Sequence, residues 1–171
     1  NNAGNMYRGN IDELEESKLI EIFHSNVISG MLLLGKAKQY LKETEGVNIF
    51  IGSVHNRRAF PGASPYAATK GALETLTRVL AAELGKDKIR VNAILPGLVA
   101  GDRQQNVLRN KAQQLGKSFA EVEKEAFSFT SVKEYVQAQD IADQIMYLTS
   151  DAGKHISGQA ISIDCDTKML L

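Results

Sequence analysis

Three short, continuous runs of apolar and β-branched residues constrain the fold of this chain most: Val47–Ile51, residues 89–95 and Ala160–Ile163. The first ends at Gly52-Ser53 and the second at Pro96-Gly97, so each reads as a buried strand that runs into a loop. Helical spacing fills the intervals. Residues 11–43 carry Leu19, Ile20, Ile22, Phe23, Val27, Leu32, Leu33 and Leu34 among charged residues, which predicts one or two helices closed by Gly46. A second helix follows Pro65 through Leu73, Leu76, Val79, Leu80 and Leu84 to Gly85. Residues 101–133 predict one or two polar surface helices, and Asp140 is expected to cap a helix through Ile141, Ile145, Met146 and Leu148. Strands alternating with helices predict a parallel α/β fold in which crossover helices cover both faces of one sheet.

Three strands make a thin sheet for this architecture. Asn1-Asn2-Ala3-Gly4 has a turn-like composition, and no methionine occurs before Met6, so a strand is expected upstream of it. No repeat, low-complexity tract or linker divides the chain, and residues 1–171 are read as a single domain.

Composition excludes several partners. With 20 basic and 20 acidic residues the net charge is zero, which argues against a nucleic-acid or anionic-membrane surface. The longest apolar run, residues 31–34, is far below the roughly 20 residues of a membrane helix. The single cysteine, Cys165, has no internal disulfide partner, which points to a reducing, cytoplasmic setting. His24, His55 and His155 are far apart and lack neighbours at ligand spacing, so no metal site is expected.

Tyr66 and Lys70, at i and i+4, project from one helix face. An ammonium that close favours the tyrosinate and is expected to lower the phenol's pKa from about 10 toward the operating range of a general acid/base. Ser53 stands thirteen residues earlier at a strand's carboxyl end, where α/β sheets form their ligand crevice. A chance Tyr-x-x-x-Lys pair is expected about 0.4 times in such a chain, and about 0.02 times once a serine at one fixed offset is required.

These residues belong to a longer ordered series: Asn1-Asn2-Ala3-Gly4, Asn26 in Ser25-Asn26-Val27, Ser53 after Phe50-Ile51-Gly52, Tyr66-Ala67-Ala68-Thr69-Lys70, Arg90-Val91-Asn92, Pro96-Gly97 and Ser157-Gly158-Gln159. The series resembles the landmarks of the classical short-chain dehydrogenase/reductase family across nearly the whole chain. The resemblance implies a Rossmann-type doubly wound parallel sheet, bound NAD or NADP, and hydride transfer between the nicotinamide and a small alcohol or carbonyl substrate. It implies Tyr66 as acid/base and Lys70 as the group that lowers the Tyr66 pKa and bonds the nicotinamide ribose. It further implies Ser53 as the group that orients the substrate oxygen, and Asn26 as holder of a relay water. Asn2, Ala3 and Gly4 match the turn beside the adenine ribose. Pro96, Gly97 and Val99 match the segment along the nicotinamide, with the Val99 amide meeting the carboxamide.

The chain also departs from the pattern. Gly101 stands where the family often has a threonine, and Asp102 substitutes for it only in part; Asp164-Cys165-Asp166 replaces a common Asp-Gly-Gly. The glycine-rich phosphate turn is not in this sequence, and Gly30, Gly35 and Gly46 have neither its spacing nor its context. The chain is therefore expected to represent the catalytic and substrate-binding two-thirds of a larger domain. The rival reading is a catalytically silent scaffold that forms oligomers or binds a ligand. Residues 98–137 correspond to the family's substrate lid, with Phe119, Phe127 and Phe129 as lid contacts. His55, Arg57 and Arg58 are candidates for clamping a substrate anion. The two long helices resemble a dimerising pair, and a dimer or tetramer is expected.

Overall fold

The computed structural model describes residues 1–167. Three strands, β1 (Val47–Ile51), β2 (Arg90–Pro96) and β3 (Ala160–Ile163), form a parallel sheet in the order β1-β2-β3. Val47 lies opposite Arg90, and Ala93 opposite Ala160. Ahead of β1 run α1 (Glu16–Phe23) and α2 (Ser29–Glu43), joined without a break by a π-helical turn, His24–Ile28. Then follow α3 (Ser64–Leu84), α4 (Asp102–Leu115), α5 (Phe119–Phe127) and α6 (Ala138–Thr149). The expected α/β layering is present. Asp140, expected as a helix cap, sits in the first turn of α6 instead: its carboxylate accepts from the backbone N–H of the actual cap, Gln137, at 2.7 Å.

Strand alternation assigns the two faces. Phe50 of β1 and Val91, Ala93 and Leu95 of β2 pack with Leu34 of α2 and Leu73 of α3. Ile49 and Ile94 point the other way, against Leu148, Ile141 and Ile145 of α6. Because β2 is paired on both edges and covered on both faces, Val91 through Leu95 are wholly or almost wholly removed from water. At the outer edge of β1, Asn1 occupies a ladder position: its nitrogen donates to Ile49 O at 2.9 Å and its carbonyl accepts from Ile51 N at 3.0 Å. Among the described residues no helix is long and apolar enough to cross a membrane.

The stretch 98–137 carries α4 and α5 with a small core of their own, Leu108, Ala112 and Val122, flanked by Phe119 and Tyr135. It is tied to the sheet at its base, where Val136 N donates to Leu98 O and Ala100 N to Val136 O. Its far end meets the segment after β3, where Ser131 N donates to Cys165 O at 3.0 Å.

Arg90-Val91-Asn92 and Ser157-Gly158-Gln159 turn out to be two sides of one joint. The Asn92 amide donates to Ile156 O at 2.9 Å and accepts from Gln159 N at 3.1 Å, while Arg90 donates to Ile156 O and Leu148 O. Val91 N donates to Ser157 Oγ, and Gly158 N to Val91 O. Asn92 is fully buried, and a side chain of its size without polar atoms takes the partner from Gln159 N, whereas Ile156 O keeps its bond from Arg90. Asn92→Leu is expected to cost about 1–3 kcal/mol in urea denaturation, the range for one orphaned backbone group; a loss below about 0.5 kcal/mol would show that the joint relaxes.

Candidate active site

The carboxyl ends of β1 and β2 open into a cavity of about 510 Å³. Ser53, two residues past β1, caps a short 3-10 turn, Val54–Asn56. Tyr66 and Lys70 stand on the first two turns of α3, which carries Pro65 as its second residue, where a missing N–H costs nothing. All three line the cavity, together with Asn2, Gly4, Pro96, Gly97 and Val99. Ala3 is exposed and does not line it.

Lys70 is 6 % exposed, and its ammonium donates to Ile51 O at 2.8 Å, leaving two N–H groups for the cavity. Gly4 explains how the lysine fits: a Cβ there would stand 3.8 Å from Lys70 Nζ and 3.1 Å from Asn26 Oδ1. Asn26 lies buried in the π turn, a widened helical turn of the kind that recurs at functional sites. Both of its N–H donors are taken, by Asn5 O at 2.9 Å and Thr69 Oγ1 at 3.0 Å, and its oxygen accepts from Asn5 N at 2.7 Å. The Thr69 hydroxyl donates in turn to Tyr66 O at 2.8 Å. A continuous tie thus runs from the turn after Gly4, through Asn26 and Thr69, to the backbone of Tyr66.

The electrostatics differ from the expectation for the Tyr66–Lys70 pair. Burial pushes the Tyr66 phenol above its usual range, with the Ser53 hydrogen bond and the charges of Arg103 and Arg8 acting in the opposite direction. Lys70 does not set this balance: its ammonium, 5.5 Å from the Tyr66 ring centroid, is aimed at Ile51 O. Lys70 is itself lowered to about 8, first by burial and then by Arg103. Both groups share one poorly solvated space, and desolvation outweighs their proximity.

His55 belongs to the site in a role the sequence does not disclose. Its Nδ1 lies 3.1 Å from Ser53 Oγ, its ring stacks on Phe60 with centroids 4.2 Å apart, and it meets the Tyr66 ring edge-on at 5.1 Å. Burial, then Arg8 and Lys70, lower its pKa to about 4, so the imidazole is neutral at pH 7.

The two arginines expected to clamp an anion do not line the cavity. Arg57 pairs with Glu74 at 3.3 Å and donates to Ala160 O, toward α3 and β3. Arg58 is buried, with its guanidinium 3.8 Å from the centroid of Phe129 and 5.2 Å from that of Phe60, where it backs two aromatic wall residues. Asp102 also does not reach the cavity; Gly101, at φ +142°, turns the chain so that Arg103 and Gln104 do. The flanking backbone bonds of Val99 run through Leu98 O and Ala100 N, so the Val136 bridge leaves the Val99 amide itself unused.

The chain is similar to known proteins over nearly its whole length. The family model described as enoyl-(acyl carrier protein) reductase matches residues 1–165. Dehydrogenase/reductase SDR family member 4 of Caenorhabditis elegans is 33% identical over 165 residues, covering 95% of this chain and 61% of its own length. A short chain dehydrogenase family protein from Francisella tularensis superposes with a TM-score of 0.85 at 30% identity, over 95% of this chain and 67% of that one. The structure of 4-hydroxyisoleucine dehydrogenase complexed with NADH superposes with a TM-score of 0.79 at 26% identity, over 97% and 66%. The chain spans roughly three-fifths of the length of such curated relatives as the Caenorhabditis protein.

The His55 shift makes a signed prediction. A group whose folded pKa is depressed below about 6.5 contributes stability that is complete above pH 6.5 and is lost as pH falls toward 4, because the unfolded chain binds the proton first. Between pH 7 and pH 4.5 the parent protein is expected to lose about 2–3 kcal/mol more than His55→Gln in chemical denaturation. Parallel curves for the two proteins would show that His55 is not held neutral.

Proposed function

The chain belongs to the short-chain dehydrogenase/reductase family, and from that membership we propose that it is an NAD(P)-dependent oxidoreductase acting on a small alcohol or carbonyl compound. The observation that carries the reading is the meeting of Ser53, Tyr66 and Lys70 in one cavity at the carboxyl ends of parallel strands. The cavity also suits a nicotinamide dinucleotide: Gly4 leaves room beside Lys70, and the lysine keeps two donors for a ribose. Asn2, Gly4, Lys70, Pro96, Gly97 and Val99 would hold it, and when bound it supplies or accepts the hydride.

The residues of the chain manage the proton. In reduction, Tyr66 Oη–H donates to the carbonyl oxygen as negative charge develops there; a phenol raised by burial is fully protonated at neutral pH and ready to act as the acid. Ser53 Oγ–H donates to the same oxygen. For Ser53 to do so while 3.1 Å from His55 Nδ1, the imidazole must carry its proton on Nδ1 and donate to Ser53 Oγ. That tautomer leaves a lone pair on the buried Nε2, which has no hydrogen-bond partner. Positive charge from Arg103 and Arg8 favours the tyrosinate that the step leaves behind. The Asn26 side chain acts as a tie between the Gly4 turn and α3, with both donors and its oxygen already engaged.

Residues 98–137 form the substrate lid, since Val99, Arg103, Val107 and Phe129 from this stretch complete the cavity wall. The exposed Ile20, Met31, Leu32, Leu33 and Tyr40 on α1 and α2 supply an apolar face for self-association into a dimer or tetramer.

Tyr66→Phe is expected to lower kcat/KM for NADH- or NADPH-dependent carbonyl reduction by about a thousandfold or more, with an unchanged melting temperature. Activity within tenfold of the parent would remove Tyr66 from the role of acid/base.

A further inference from the structure

Charge in the cavity is one-sided. Arg8, Lys70, Arg103 and Lys111 all line it, and among the described residues no aspartate or glutamate does. In a chain with 20 basic and 20 acidic residues, that is a local excess rather than an average property.

The four cations are not equivalent. Lys111 faces Glu125 at 3.8 Å, and Lys70 is committed to Ile51 O and to the acid/base chemistry. Arg8 and Arg103 have no carboxylate partner among the described residues; Arg8 is held only by a contact from its Nε to Met6 Sδ at 3.3 Å. They come from different segments of the chain. Arg8 follows the Gly4 turn, and Arg103 stands in the first turn of α4 on the lid. Their fields converge on one point: both charges act on the Tyr66 phenol, Arg8 also on His55 and Arg103 also on Lys70. Phe60, Leu98, Val107 and Phe129 make adjoining parts of the wall apolar, which suits a short carbon skeleton between the reacting carbon and a charged end.

We propose that Arg8 and Arg103 form an anion subsite beside Tyr66, and that the alcohol or carbonyl substrate carries a carboxylate or phosphate held between these two guanidiniums. The inference rests on the oxidoreductase reading and adds the substrate class to it. A guanidinium presents paired N–H donors that match the two oxygens of such a group, and two such partners from separate segments fix the distance from anion to reacting carbon. The lid contributes one of the two, so an anionic substrate draws the lid toward the turn that bears Arg8.

The test uses the full chain with matched charged and neutral compounds: acetoacetate against methyl acetoacetate, and dihydroxyacetone phosphate against dihydroxyacetone, each with NADH and NADPH. The charged member of one pair is expected to have a kcat/KM about tenfold or more above its neutral counterpart, and the favoured pair identifies the anion as carboxylate or phosphate. Arg8→Ala and Arg103→Ala are each expected to bring that ratio to about one through KM, with Arg103→Lys retaining part of it. Equal or better use of the neutral member in both pairs overturns the subsite. So does an Arg103→Ala protein whose NADH or NADPH binding weakens while the charged-to-neutral ratio stands, which assigns the arginine to a cofactor phosphate. Calorimetric binding of acetoacetate and of inorganic phosphate to the Tyr66→Phe protein separates the two readings. Anion binding that disappears with Arg8 and Arg103 in a chain that transfers no hydride keeps the subsite and removes the oxidoreductase. Reduction of neutral ketones with no anion binding keeps the oxidoreductase and removes the subsite.

Discussion

Strand β2 is the constraint on which the rest of the molecule depends. Paired on both edges and covered on both faces, it offers contact with solvent and ligands chiefly at its carboxyl end, where Pro96-Gly97 breaks the ladder. The break is enforced sterically: a Cβ on Gly97 would stand 2.7 Å from the Asp164 backbone, so only glycine lets the strands β2 and β3 leave the sheet this close together. Ser53 reaches the same rim from β1, through Gly52 N bonded to Ile94 O at 2.7 Å. A buried parallel strand thereby assembles, at one edge, groups that arise from loops more than forty residues apart in sequence.

Desolvation governs the chemistry at that edge. It raises the Tyr66 phenol, lowers Lys70 to about 8 and lowers His55 to about 4, and in each case it is the first cause. For Lys70 the sign follows directly: unfolded chains hold the proton up to about pH 10.5, so the fold bears the full cost of a buried ammonium below pH 8 and is relieved of it only as pH rises past that range. A single carbonyl, Ile51 O, answers that charge in the described structure. A fold that keeps an ammonium so poorly satisfied at neutral pH has traded stability for a cation with two donors free to meet a ligand.

How much of this was legible in the sequence depends on the range over which each feature is encoded. Tyr66 and Lys70 share a helix face by local spacing, and Ser53 is placed by the end of its own strand, so all three could be read without a fold. Thr69 lies inside the same Tyr-Ala-Ala-Thr-Lys run, but its bond to Asn26 crosses 43 residues and leaves no local mark. The continuity of α1 and α2 was likewise hidden, because no glycine or proline signals the π turn. Arg57 and Arg58 illustrate the opposite failure. Two adjacent cations suggest one clamp, yet the 3-10 turn before them rotates each residue by about a third of a turn, and the neighbours point to different partners.

Net charge shows most clearly why a mean over the chain is a poor guide to its site. The zero balance still disfavours a polyanion surface, but the carboxylates are not spread evenly. Glu74 faces Arg57 and Arg78, Asp87 faces Lys38 and Lys42, Glu45 faces Lys88, and Glu125 faces Lys117 and Lys111. The pairs of Glu45 and Glu125 are solvent-exposed on both sides and contribute little to folding individually, whereas Asp87 and Glu74 are largely covered. Their consequence is distributional: these four carboxylates lie outside the cleft, which holds Arg8 and Arg103 with no carboxylate partner among the described residues. A neutral protein can in this way hold a strongly cationic interior surface, and the low-dielectric walls around Phe60 and Phe129 make each charge there act over a longer distance than it would in water.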